Sequence, residues 1–209
     1  MIEIIPSINA STFEEVQERI AKVEPYVSWC HLDVTDGVFS KHLTWHDPRD
    51  LPQLETKLKA EVHLMVEEPE KVIEQWLIKP IGRVIVHLEG TKDPELVIRK
   101  CREVGIEIAF AIKPDTFWGI LKPWFGKIDM MILLRVQPGA SGQTMHSEML
   151  EEITHLRTAC PECIIEVDGG VTVNNAKRAV DAGANVLVAG GAIFSQENIE
   201  MAIEKIKNA

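Results

Sequence analysis

No apolar run in this 209-residue chain is long enough to cross a bilayer, which takes about 20 residues as a helix. The first residues, MIEIIPSINA, have neither the basic start nor the long apolar stretch of a secretory signal. No membrane partner is expected, and a cytoplasmic location follows. Positive charge is scarce: 22 Lys and Arg face 32 Asp and Glu, for a net charge of −10. Nothing resembles the basic stripe of a nucleic-acid binder, so nucleic acid is excluded as a general partner. A small anionic ligand is not excluded, because local backbone dipoles can oppose the global charge. Cysteine is sparse, with four residues. Cys160 and Cys163 form a lone CxxC, without the second pair or nearby His of a zinc site. Its expected role is structural or incidental. Linkers, low-complexity tracts and composition shifts are missing, so residues 1–209 are read as one domain.

What is present is an alternation. Short runs rich in Val and Ile lie at 2–5, 27–34, 59–66, 83–89, 106–113, 129–136, 163–168 and 185–190. Between them are helical patterns at 11–23, 68–77, 93–104, 147–159, 172–183 and 196–209, with weaker ones near 47–57 and 116–125. Strand–helix alternation implies parallel strands. Eight such units predict an α/β fold, a single (β/α)8 TIM barrel. The rival is an open doubly wound sheet. It loses support because no G-x-G-x-x-G follows the first run.

Polar residues gather where a barrel would place them. Side chains two apart on a strand share a face. In HLDVTDG, residues 31–37, that puts His31, Asp33 and Thr35 together; in EVHLMV it pairs His63 with Met65. Asp168 ends the seventh run, IIEVDGG. The C-terminal ends of barrel strands form the active-site face. His31, Asp33, His63 and Asp168 converging there make a divalent-metal site with mixed N/O ligation, suited to Zn, Fe, Mn or Co. Three glycine-bearing turns, PGASGQ (138–143), DGGVT (168–172) and AGGAIF (189–194), follow the last three runs. Barrel phosphate sites are commonly built from the loops after strands 7 and 8. Tight turns that need positive φ are the alternative reading.

PSINAS (6–11), HLDVTDGVF (31–39), HLMVEEPE (63–70), HLEG (87–90), KPDT (113–116), VQPGASGQ (136–143), VDGGV (167–171) and VAGGAIF (188–194) occur in an order that resembles the ribulose-phosphate 3-epimerase family. The resemblance implies a barrel of the ribulose-phosphate-binding type and a family whose members commonly self-associate. It implies a metal-dependent isomerase of carbohydrate metabolism, in the pentose phosphate pathway. The reaction would interconvert D-ribulose 5-phosphate and D-xylulose 5-phosphate. By position, His31, Asp33, His63 and Asp168 would hold the metal, and Asp33 and Asp168 would also be the acid/base pair. Ser7 and Met65 would lie near the substrate. Ser141, Gly142, Gly169, Gly170, Gly191 and Ala192 fall on phosphate-loop positions.

The chain also departs from the family pattern. Thr35 and Leu134 stand where methionines usually cap the site. Arg135 replaces Thr or Ser, FSKH (39–42) replaces FVPN, and Ala140 replaces a loop aromatic. These changes suggest altered substrate preference, for example for a hexulose 6-phosphate, or a sugar-phosphate binder without turnover. Neutral drift is the plainer account. By parity Arg135 is expected to face the helices. Lys113, ending the fifth run, could face the mouth and serve as a Schiff-base lysine, though that leaves the four metal-type ligands unexplained.

Overall fold

The computed structural model describes residues 2–134 and 148–209. Its strands are β1 (Glu3–Ile8), β2 (Trp29–Thr35), β3 (Lys59–Met65), β4 (Ile81–His87), β5 (Glu107–Ile112), β6 (Met130–Leu134), β7 (Ile165–Asp168) and β8 (Val186–Ala189). They close in sequence order, β8 pairing with β1, and every pairing is parallel. This is the (β/α)8 TIM barrel that the alternation implies.

Helices α1 (Phe13–Val23), α2 (Pro94–Glu103), α3 (Glu148–Ala159), α4 (Val173–Ala182), α5 (Gly191–Phe194) and α6 (Ile199–Lys207) lie between and after the strands. Thr12 caps α1 by accepting from the Glu15 amide, and Asp93 caps α2 through the Leu96 amide. Both satisfy first-turn donors that have no intrahelical partner.

Three helical expectations change character. Residues 68–77 form two 3₁₀ turns, Pro69–Lys71 and Ile73–Trp76. Glu68 turns the chain through a left-handed conformation (φ 52°), and Val72 at φ −117° interrupts the run. The weaker segments are 3₁₀ as well, at Pro48–Gln53 and Trp118–Trp124. Each carries an interior proline, Pro52 or Pro123, that cannot donate to a helical ladder.

Alternation along each strand sorts the core into two parts. Ile4, Ile8, Leu32, Val34, Val62, Leu64, Val84, Ile108 and Phe110 belong to the large cluster shared with the helices. Ile5, Ile85, Ala109, Ala111, Met130, Ile132, Val186 and Val188 form a second cluster inside the barrel. Cys30 and Cys101 are buried free thiols, while Cys160 and Cys163 are joined as a disulfide in the turn between α3 and β7. Among the described residues no helix is long and apolar enough to cross a membrane.

Candidate active site

Strand register decides which side chains meet. Ser7 has the parity of inward-facing Ile5 and pairs with His31; Asp33 pairs with His63, and His63 with Ile85, again inward. His31, Asp33, Thr35, His63 and Met65 therefore line the barrel interior near its C-terminal end. Leu134 pairs with Asp168 across β6 and β7. All are 9% exposed or less, so titratable groups occupy positions that lower in the barrel hold Ile and Val.

One ligand-type atom from each of His31, Asp33, His63 and Asp168 lies within 4.8 Å of the other three. His31 Nε2 is 3.2 Å from His63 Nδ1, 3.4 Å from Asp33 Oδ1 and 3.7 Å from Asp168 Oδ2. His63 Nδ1 is 3.3 Å from the same Asp168 oxygen. Four donors about 2.1 Å from one cation in a tetrahedron stand about 3.4 Å apart, given ordinary zinc–ligand lengths. The donor set fits a divalent metal in type, separation and burial. Burial works against charge on His31, but Asp168, Asp33 and Glu61 overcome it and raise its pKa well above the ordinary value. Burial likewise opposes ionisation of Asp33, yet His31, His63 and the Ser7 hydroxyl hold its pKa below the usual range. A negative field that retains a proton on a buried imidazole also favours a cation. Ser7 Oγ donates to Asp33 Oδ2 at 2.5 Å, which fixes the carboxylate's rotation.

A layer beneath these residues escaped the sequence reading. Glu61 Oε1 is 2.7 Å from His31 Nδ1. Arg83 donates to Glu61 at 2.5 Å and to Glu107 at 2.8 Å, with its guanidinium over the Trp29 ring. Glu166 is fully buried, and among the described residues its two oxygens have no hydrogen-bond partner. Burial, and then the charge of Glu61, push its pKa well above the carboxylate range, which favours the neutral acid. The signal was parity: Glu61 and Glu166 each lie two residues before an assigned ligand. Likewise, His63 Nε2 is 3.0 Å from His87 Nε2, and His87 Nδ1 is 3.3 Å from Glu89 Oε2.

Burial opposes ionisation of Glu89, but His87, the Thr116 hydroxyl and the Lys113 amide bring its pKa down to about 2. Its unfolded value is near 4.5, so its stabilisation is complete above that pH and is lost as pH falls toward 2. Glu89→Gln should therefore cost about 1–2 kcal/mol at pH 7, after discounting for partial exposure. The deficit should shrink on acidification, as urea midpoints across that range will read.

The other sequence-predicted residues fall as follows. Gly169 and Gly170, after β7, have φ of 98° and 69°, so this turn needs glycine for its backbone alone. Asn175 donates to the Gly170 carbonyl and accepts from the Thr172 amide, tying the turn to α4. Gly191 is exposed at the start of α5, with nothing within 4 Å of where a Cβ would stand, and Ala192 follows half-buried. Ser141, Gly142, Arg135 and Ala140 lie outside the described residues. Lys113 Nζ sits 3.6 Å over the Phe39 ring. Thr35 is closed off, its amide donating to Thr44 Oγ1 at 2.9 Å and its hydroxyl 3.5 Å from the same atom.

The family model for the ribulose-phosphate 3-epimerase family matches residues 3–194. The chain belongs to this family. It is 34% identical to a ribulose-phosphate 3-epimerase of Schizosaccharomyces pombe, over 99% of this chain and 93% of that protein. It is 35% identical to one of Synechocystis sp., over 100% of this chain and 94% of that protein. The barrel also superposes on a crystal structure of KGPDC from Streptococcus mutans. There the TM-score is 0.77, with 12% identity over 100% of this chain and 96% of the other; that likeness concerns the fold alone. Membership makes the protein an enzyme of the isomerase class acting on carbohydrates.

Proposed function

We propose that the protein inverts C3 of D-ribulose 5-phosphate to give D-xylulose 5-phosphate, and the reverse. His31, Asp33, His63 and Asp168 would hold one divalent cation, of Zn, Fe, Mn or Co type. The observation that carries this reading is the closure of those four donors, from three separate strands, to within 4.8 Å of one another in a family member's barrel mouth.

C3 is adjacent to the C2 ketone, so its hydrogen is acidified. Inversion requires removing that proton from one face and returning one to the other. Asp33 on β2 and Asp168 on β7 are the two carriers, since β1 and β8 separate their strands in the ring. The Ser7 hydroxyl holds one Asp33 oxygen, and the other lies 3.4 Å from His31 Nε2 among the four clustered donors. A bound cation would supply Lewis-acid polarisation of the ketone. Met65, with Leu134 in place of a second methionine, gives the site an apolar wall. The phosphate would sit against Gly169, Gly170, Gly191 and Ala192, with Ser141 and Gly142, fixing which carbon lies between the carboxylates.

In D2O, metal-loaded protein is expected to place deuterium at C3 of ribulose 5-phosphate. Absence of exchange under every one of the four metals would refute the assignment. A hexulose 6-phosphate is the second reading, motivated by the altered 35–42 segment. Comparing kcat/KM on five- and six-carbon substrates decides between them, and better pentulose turnover removes the second. A cytoplasmic, self-associating enzyme remains the expectation.

A further inference from the structure

Of the two histidines at the cluster, His63 faces it through Nδ1, the nitrogen nearer its own backbone. It can present a lone pair there only if its proton resides on Nε2. Nε2 is fully buried, so that proton needs an acceptor, and His87 Nε2 stands 3.0 Å away. For His87 to accept there, its own proton must lie on Nδ1, which faces Glu89 Oε2 at 3.3 Å. Glu89 is in turn anchored, its other oxygen accepting from the Lys113 amide at 2.7 Å and from the Thr116 hydroxyl. In the opposite arrangement every proton shifts one nitrogen along. His63 Nδ1–H then points at Asp168, and a bare His87 Nδ1 lone pair faces the Glu89 carboxylate. Lone pair against anion is unfavourable, so Glu89 selects the first arrangement.

We propose that His87 and Glu89 are positioning residues that fix the tautomer of His63, so that its Nδ1 lone pair is open to the cation. The proposal rests on the metal reading above. The rings also stack, His63 and His87 at 5.0 Å between centroids and 16° between planes, with Phe39 against His87 at 4.9 Å. Packing and tautomer control therefore predict opposite rankings of two substitutions. His87→Phe keeps the ring and removes the acceptor. His87→Gln loses the ring and keeps an acceptor, its side-chain carbonyl.

The test is affinity for Co2+ alone, by competition with a chromophoric chelator and from the cobalt absorption spectrum, beside the thermal midpoint of metal-free protein. His87→Phe should bind Co2+ about 10–100-fold more weakly, the usual size of an outer-partner effect on a ligating histidine. His87→Gln should stay within about 3-fold of the parent protein. Glu89→Gln, which replaces the anion but not the ring pair, should fall between them, and it carries the test if His87→Phe does not fold. Parent-like affinity in both His87→Phe and Glu89→Gln would overturn the proposal and leave the metal site standing. So would a larger loss in His87→Gln than in His87→Phe. A parent protein that takes up no Co2+ would end the metal reading and this inference together.

Discussion

Asp168→Asn and Asp33→Asn are each expected to lower kcat by about 10²–10⁴-fold, the range typical of removing a positioned proton carrier. Both residues are also candidate metal ligands, so a loss of activity has two possible sources. Metal content, measured alongside turnover, separates them. An amide oxygen can still ligate weakly, and excess metal should reload the asparagine variants. Reloaded variants should stay inactive and should exchange no deuterium at C3, because Asn cannot take or return a proton. Recovery of parent-like turnover on metal addition would reduce the carboxylates to ligands and remove the two-carrier scheme. KM should move little beside kcat, since neither group is assigned to the phosphate.

Arg83→Met is expected to destabilise the fold by about 3–5 kcal/mol at pH 7, the cost of breaking a buried ion pair from one side. Arg83 is the cation of the interior layer. It donates to Glu61, which lies 2.7 Å from His31, and its charge also acts on Glu166. Without it, Glu61 keeps His31 as a partner but loses one of the two cations that hold its pKa below the ordinary carboxylate value against burial. The sign of the pH dependence follows. A carboxylate with a depressed folded pKa contributes stability that is present above its unfolded pKa and lost as pH falls, and Arg83 supplies part of that contribution. The deficit of Arg83→Met should therefore be full near pH 7 and smaller near pH 4, below the unfolded value of about 4.5. Adding Glu61→Gln to Arg83→Met should restore part of the loss. Urea denaturation of the three variants at both pH values checks this, and a pH-independent deficit would mean that Arg83 acts only by packing on Trp29.

The acid sensitivity from Glu89 and the metal dependence of His87 belong to the same interior. Two chains of hydrogen bonds leave the candidate metal ligands, one downward through Glu61 to Arg83, the other sideways through His87 to Glu89. Both begin on a histidine nitrogen that faces away from the cluster. A buried imidazole has two nitrogens to satisfy, and the one not offered to a cation needs a partner of its own.

The eight strands, their parallel sense and the four clustered side chains were legible from the residues. Near-continuous apolar runs mark strands buried on both faces, and His31, Asp33, His63 and Asp168 stand out because they interrupt such runs at one end. The disulfide was not legible, since a lone CxxC fixes neither pairing nor redox state. The loops from 47 to 57, 68 to 77 and 116 to 125 were not, because their apolar spacing is helical while single backbone features, Glu68 at positive φ or an interior proline, cut the ladder. Residue type and spacing thus set which groups point into the barrel. Only closure of the ring decided which of them touch. Glu61, Arg83 and Glu107 lie on successive strands, and Glu166 is four strands beyond Glu61 in the chain; their meeting depends on register and curvature. Hydrogen bonds and charge pairs act over a few ångströms, and distances of that size between residues far apart in sequence exist only once the barrel has formed.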